Sequence, residues 1–213
     1  QRPILTTSIL LVLQRSIEIS MLQKIIDTIC REPYRLFFPI GIWMGLVGVS
    51  PWFLYAFGFS AAYSGFFHSS LQMMVYMNCF VVGFLMTFIP RFTGTSYATK
   101  NEVFGFLFLF VGMAVFLRPE QWVVAEVMYC FWFLLLLRFL LVRIPKRRES
   151  PQARPPIELI WIPTGILLGM TGTLLMILSQ MRVLPVNLIK AAKPMMEQGF
   201  ILRCWEWPQR YGY

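Results

Sequence analysis

His68 is the single histidine of this 213-residue chain, and its imidazole is a versatile metal ligand and the usual protein ligand of haem. On a helix it would share its face with Leu71 and Gln72, at i+3 and i+4. Cys79 is nearly on that face, but at a helical rise of about 1.5 Å per residue it lies about 16 Å away, too far to share one metal ion. His68 is therefore either a lone metal or haem ligand, or a polar helix cap or lipid-headgroup contact at the membrane interface.

Sulfur ligands are a second source of metal chemistry. Methionine thioethers suit Cu(I) and haem, and Met73, Met74 and Met77 follow His68, although Met74 and Met77 lie off its face. In an apolar chain, methionines are also ordinary packing residues. None of the four cysteines forms a CxxC pair, which argues against a zinc site and favours buried free thiols: Cys30, Cys79, Cys130 and Cys204.

Three polar residues interrupt long apolar runs. Glu126 and Arg138 are charged, and intramembrane charges usually face the interior of a helical bundle and carry function. The alternatives are that Glu126 lies close to one end of its run and that Arg138 snorkels toward the other end. Asn78 is expected to form a hydrogen bond with a neighbouring helix.

The composition requires a membrane. Apolar residues make up 57% of the chain, charged residues only 14%, and mean hydropathy is +0.63, whereas a soluble domain is roughly 25% charged. The net charge of +9 comes from basic residues clustered between apolar runs, which is typical of loops beside anionic lipid headgroups and not of a nucleic-acid-binding surface. The chain has no nucleotide-binding, GxSxG or HExxH motif, so we assign no catalytic residues.

The hydropathy pattern predicts an all-α, polytopic bundle of about five transmembrane helices and the start of a sixth near Met195. Pro90 is expected to end the second span, and the short third span is expected to begin in its preceding loop or to thin the bilayer. Three glycines in the first span are predicted to pack another helix closely: Gly41, Gly45 and Gly48. The five predicted spans are Leu36–Phe57, Ser69–Ile89, Val103–Leu117, Trp122–Val142 and Ile157–Leu178.

Basic residues alternate between loops, which predicts the orientation. They precede the first span and lie between spans two and three and between four and five, so residues 1–35 are expected to be cytoplasmic and His68 to face outward. Residues 36–202 form the membrane domain, with a linker-like stretch at 144–156. Residues 203–213 are an atypical polar and aromatic tail, and one hypothesis is that a frameshift produced it.

Two stretches carry a family resemblance: EPYRLFFP at residues 32–39, and Phe67-His68 followed by GFLMTFIPRFTG at residues 83–94. Together they resemble the NnrS family of bacterial membrane proteins, over about Glu32 to Leu202. The resemblance implies a bacterial inner-membrane protein that binds haem and copper and acts in the nitric oxide response, with His68 as the ligand. Where family members often have a second histidine, this chain has Ser70 and Leu71.

The resemblance also implies that the chain covers about half of the family's twelve spans. Half a bundle leaves apolar helix faces without partners, so we expect association with lipid, with a second copy, or with another membrane chain. An alternative function is therefore a metal-free subunit or half-transporter that completes its bundle by oligomerisation. A third possibility is a non-functional fragment of a broken gene.

Overall fold

The computed structural model describes residues 2–118, 121–145 and 161–196, and these residues form helices and connecting loops without a β-strand. A π-helical turn, Gln72–Met77, joins α3 to α4, and a 3₁₀ turn, Val186–Leu188, leads into helical residues 189–196. Besides residues 189–196, the described residues form seven α-helices: α1 Arg2–Arg31, α2 Tyr34–Ala56, α3 Gly65–Leu71, α4 Asn78–Thr93, α5 Lys100–Leu117, α6 Trp122–Arg143 and α7 Trp161–Gln180.

Five helical segments among the described residues are long and apolar enough to cross a bilayer, which confirms the predicted all-α membrane fold. The second is continuous from α3 through the π turn to α4. The chain is thus a multi-pass membrane protein. The segments are Tyr34–Ala56, Gly65–Thr93, Lys100–Leu117, Trp122–Arg143 and Ile162–Gln180.

The first span, α2, continues through two prolines. Pro51 has no N–H to donate to the carbonyl of Val47, and the Ser50 hydroxyl donates to that carbonyl instead, at 2.8 Å. The backbone group that proline leaves without its helical partner is therefore satisfied locally, as a bilayer requires.

The second span does not end at Pro90, and that prediction is wrong. Helix α4 continues to Thr93, and Gly94 then ends it in the left-handed conformation, with φ of 65°. Proline disfavours helical geometry at the residue before it but does not forbid it, whereas glycine adopts the left-handed cap without the cost that a Cβ imposes. The backbone N–H of Thr95 donates to the carbonyl of Pro90 at 3.1 Å and completes the cap.

The third span begins in the preceding loop, which was one of the two expectations for it. Thr99 caps α5, since its hydroxyl accepts from the backbone N–H of Glu102, while the Glu102 carboxylate accepts from the N–H of Thr99. This capping box explains why α5 starts at Lys100 and not at Val103.

Aromatic side chains fill the centre of the bundle. The Trp132 ring of α6 lies 6.1 Å from Phe106 and 6.3 Å from Phe110 of α5, and Phe37 of α2 packs edge-on against Phe110 at 5.8 Å. All four side chains are fully buried. Edge-to-face pairs of this kind fix the relative positions of α2, α5 and α6.

The N-terminal segment contains the long helix α1, and residues 20–31 alternate in polarity at helical spacing. Lys24, Asp27 and Arg31 recur on one side, while Leu22 and Ile25 are apolar and exposed. Helix α1 contacts α2 and α5, and Ile29 and Cys30 near its end pack against the core.

After α7 the chain turns back, and helical residues begin at 189 rather than near Met195. They lie against α7 so closely that a Cβ on Gly172 would be 2.4 Å from the backbone nitrogen of Met196 and 2.8 Å from the carbonyl oxygen of Ala192. The predicted start of span five at Ile157, most of the linker at 144–156, Cys204 and the tail at 203–213 lie outside the described residues.

Candidate functional site

The His68 ring lies against the backbone of α2. Its Nδ1 is 2.9 Å from the carbonyl oxygen of Gly48. A carbonyl oxygen only accepts, so Nδ1 is the donor, and in the neutral ring the lone pair is then on Nε2. A histidine whose Nδ1–H is held by a carbonyl is in the tautomer and orientation that metal-binding histidines use.

The glycines of α2 make this contact possible. A Cβ on Gly48 would lie 2.8 Å from Nε2 of Gln72, and one on Gly45 would lie 2.7 Å from Cδ2 of Tyr76. Because these glycines have no side chain in the way, Gln72 also reaches a carbonyl of α2, that of Gly45, and donates to it at 2.9 Å. A Cβ on Gly41 would meet Cys79 at 3.0 Å. Gly41, Gly45 and Gly48 of α2 thus pack against the helix face that bears His68 and Gln72, and the two surfaces form one helix–helix contact.

Other polar and aromatic groups lie at the same end of the bundle. The Tyr63 ring is 6.3 Å from the His68 ring. Lys193, from the segment after α7, donates to the Ser69 hydroxyl at 3.4 Å and lies 5.4 Å from the ring centroid of Phe66. Ser70 and Leu71, where a second histidine would stand, are buried.

Asn78 is fully buried immediately after the π-helical turn. Its Nδ2 donates to the carbonyls of Met73 and Met74, at 2.8 and 3.2 Å, and lies 2.9 Å from the Tyr129 hydroxyl of α6. A π turn shifts the helical hydrogen-bond register, and the amide compensates carbonyls within it. Asn78 therefore has the interhelical hydrogen bond that the sequence predicts for it.

Glu126 and Arg138 occupy different environments. Glu126 is 2% exposed and accepts a hydrogen bond from Nε2 of Gln180 on α7, at 2.8 Å. Arg138 is exposed on the surface of α6, so it does not face the interior of the bundle. Neither Glu126 nor Arg138 lies at the contact between His68 and α2.

The sequence does not indicate the buried ion pair between α5 and α6. Arg143 and Glu102 are 2% and 7% exposed, and the guanidinium donates to both carboxylate oxygens, at 2.9 and 2.8 Å. Arg143 also donates to the carbonyls of Ser96 and Tyr97, at 3.1 and 3.0 Å. In the sequence, Arg143 is the first of a run of basic residues that is typical of a loop. Glu102 stands out only as the last residue of a capping-box pattern that begins at Thr99.

A second ion-pair cluster lies at the same end. Glu32 pairs with Arg35 and with Arg91, whose Nη2 is 2.7 Å from Oε1 of Glu32. The hydrogen bond from Arg35 is the largest cause that lowers the pKa of Glu32, and the Arg91 hydrogen bond adds to it against an opposing effect of burial. The Tyr34 N–H also donates to Thr87, at 3.4 Å. The start of α2 is thus joined to the end of α4.

The described residues contain no group of three or more histidine, cysteine, aspartate or glutamate side chains that would hold a metal ion. Met74 is buried, and Met73 and Met77 are partly buried. Cys30, Cys79 and Cys130 are free thiols. His68 is therefore the one imidazole that this part of the chain offers to a cofactor.

Comparison with known proteins places this geometry in a family. The family model described as NnrS protein matches residues 28–202, which include both the EPYR segment and the PRFTG segment that meet at the Glu32–Arg91 ion pair. No curated protein and no solved structure matches the chain. Because the match covers most of the chain, this protein belongs to the NnrS family.

Proposed function

We propose that this chain binds haem through Nε2 of His68 and acts in the nitric oxide response of the bacterial inner membrane, with its N-terminus in the cytoplasm. The observation that carries the proposal is the 2.9 Å hydrogen bond between Nδ1 of His68 and the Gly48 carbonyl. In the neutral imidazole this bond puts the proton on Nδ1 and leaves the lone pair on Nε2, which is the atom that would hold the iron. Family membership supports the choice of haem and of nitric oxide.

A haem needs only one protein ligand on its iron, so a single imidazole with a fixed tautomer fits it. Haem would supply an iron that can bind small diatomic molecules such as nitric oxide. His68 would hold the iron, and Gly48 would orient the imidazole and raise its basicity through the accepted hydrogen bond. The proposal is confined to haem, because the described residues contain no group of three histidine, cysteine, aspartate or glutamate side chains that could hold a copper ion.

The same hydrogen bond favours a second candidate function. His68 and Gln72 both donate to carbonyls of α2, so together they make a helix–helix contact that stands without any cofactor. A metal-free subunit or half-transporter, completed by a second copy or another membrane chain, would need His68 for packing alone. The two candidate functions differ in whether Nε2 of His68 binds a haem iron.

The deciding experiment uses the chain purified from bacterial membranes in a mild detergent. Absorption spectra of the oxidised and dithionite-reduced protein are recorded, and iron and copper per polypeptide are determined. We expect about one haem per chain, seen as a Soret band that is lost in His68→Ala. In the native protein, nitric oxide should shift the band.

Ser69→Ala is the matched control, because Ser69 is adjacent on the same helix and its hydroxyl donates to the carbonyl of Phe66 at 3.2 Å. It should retain the haem. A folded, colourless native chain without iron would refute haem binding and favour the metal-free candidate. Haem that is retained in a folded His68→Ala variant would show that another residue is the ligand.

A further inference from the structure

A half-open cavity of about 320 Å³ lies at the end of the bundle opposite His68. It separates the last turn of α1 from the end of α4 and the loop that follows. Its lining combines two guanidinium groups, one carboxylate, one hydroxyl and one phenol ring, from Arg31, Arg91, Glu32, Thr28 and Tyr97.

The charge in this cavity is positive. Two guanidinium groups face one carboxylate, and Glu32 is shared with a third guanidinium, that of Arg35. Arg31 is exposed and lies 5.4 Å from the Tyr97 ring centroid, and the Arg91 side chain is 51% exposed. Both guanidinium groups are therefore accessible to an anion that enters from outside.

The cavity lies where the hydrocarbon of the bilayer ends. Glu32 lies two residues before the first span, Tyr34–Ala56, and Arg91 lies in the last turn of the second, Gly65–Thr93. The exposed apolar side chains of Leu22 and Ile25 are one to two helical turns from Thr28 on α1. An anion bound here would thus be at headgroup depth, with apolar surface nearby.

We propose that this cavity binds the phosphate of an anionic phospholipid headgroup, with Arg31 and Arg91 as its donors. Guanidinium groups bind phosphate oxygens through paired charge-assisted hydrogen bonds, and basic pockets between membrane helices are suited to anionic headgroups. The apolar side chains of α1 favour a lipid over free phosphate, because acyl chains would cover them. The site is independent of His68 and of any haem.

Native mass spectrometry of the delipidated full chain tests this proposal. The chain is titrated with phosphatidylglycerol and, separately, with phosphatidylcholine of the same acyl chains. We expect tighter binding of the first phosphatidylglycerol. Arg31→Gln should weaken that binding about fivefold, the effect of about one basic residue at a membrane surface, and leave phosphatidylcholine unchanged. Arg31→Lys, which keeps the charge, should retain more of the affinity.

Arg138→Gln is the control, because it removes an exposed guanidinium from the same half of the bundle but outside the cavity. Equal losses in Arg31→Gln and Arg138→Gln would reduce the effect to general surface charge and overturn the proposal. So would equal binding of the two lipids by the native chain. Displacement of phosphatidylglycerol by inorganic phosphate at the same concentration would overturn the choice of a lipid and assign the cavity to free phosphate.

Discussion

Nη2 of Arg91 lies 2.7 Å from Oε1 of Glu32, although the two residues are 59 positions apart in the sequence. The first belongs to the PRFTG segment and the second to the EPYR segment. Close packing accompanies the ion pair, since a Cβ on Gly83 would be 3.1 Å from Cα of Tyr34. The two stretches that mark the family thus meet in a single contact between the start of α2 and the end of α4.

Glu32→Gln should lower the melting temperature at neutral pH, and the difference from the native chain should vanish in acid. Hydrogen bonds from Arg35 and then Arg91 lower the pKa of Glu32 from its ordinary value of 4.5. The carboxylate therefore stabilises the fold above that value, and this contribution is lost as the pH falls through the lowered, folded-state pKa. Circular dichroism melts in detergent between pH 7 and pH 3 measure the effect.

Asp27→Asn is the control for that series, since it removes a carboxylate from the exposed side of α1. Its melting temperature should follow the native value at every pH. A difference between Glu32→Gln and the native chain that persists at the lowest pH would mean that the effect of Glu32 does not depend on its charge.

Arg143→Ala should destabilise the fold by about 3–5 kcal/mol, because it leaves the Glu102 carboxylate buried without its cation. The double variant Glu102→Gln, Arg143→Met should cost less, since it removes both charges together. Unfolding by sodium dodecyl sulfate in mixed micelles gives these free energies. Arg138→Ala, an exposed arginine of the same helix, should change the free energy by no more than about 0.5 kcal/mol.

Gly45→Ala should destabilise the fold by about 1–3 kcal/mol through overpacking, because the new Cβ would lie 2.7 Å from the Tyr76 ring. Because the new Cβ would push α2 away from Tyr76, the hydrogen bond between His68 and the Gly48 carbonyl should also weaken. The measurement is the free energy of unfolding, with haem content followed in parallel.

Gly65→Ala is the control, since its Cβ would meet its nearest atom, Cε1 of Tyr63, at 3.7 Å, an ordinary contact. Equal effects of the two substitutions would contradict the packing argument.

Asn78→Leu should destabilise the fold by about 1–3 kcal/mol, because the carbonyls of Met73 and Met74 lose their side-chain donor in the bundle interior. Amide hydrogen exchange in residues 72–78 should rise if the π turn loosens. Thr171→Val serves as a comparison, since the Thr171 hydroxyl donates to the carbonyl of Leu167 on an exposed face of α7. Unchanged exchange together with unchanged stability would show that the π turn does not depend on the amide.

The sequence determined the features that depend on composition along the chain. Long uncharged runs have no stable alternative to membrane-spanning helices, because a bilayer offers no partners to backbone polar groups. The number of spans and the helical class therefore follow from hydropathy. The family resemblance followed from two short motifs, and the match over residues 28–202 bears it out.

The tertiary structure decided which polar residues meet. Glu126 and Arg138 look alike in hydropathy, yet one is buried against Gln180 and the other is exposed, because each depends on the rotation of α6 relative to its neighbours. The bidentate pairing of Arg143 with Glu102 and the contact of His68 with Gly48 join residues 41 and 20 positions apart. Helical periodicity is local, whereas interhelical register is set by the packing of whole helices, so these partners become visible only when the helices are placed side by side.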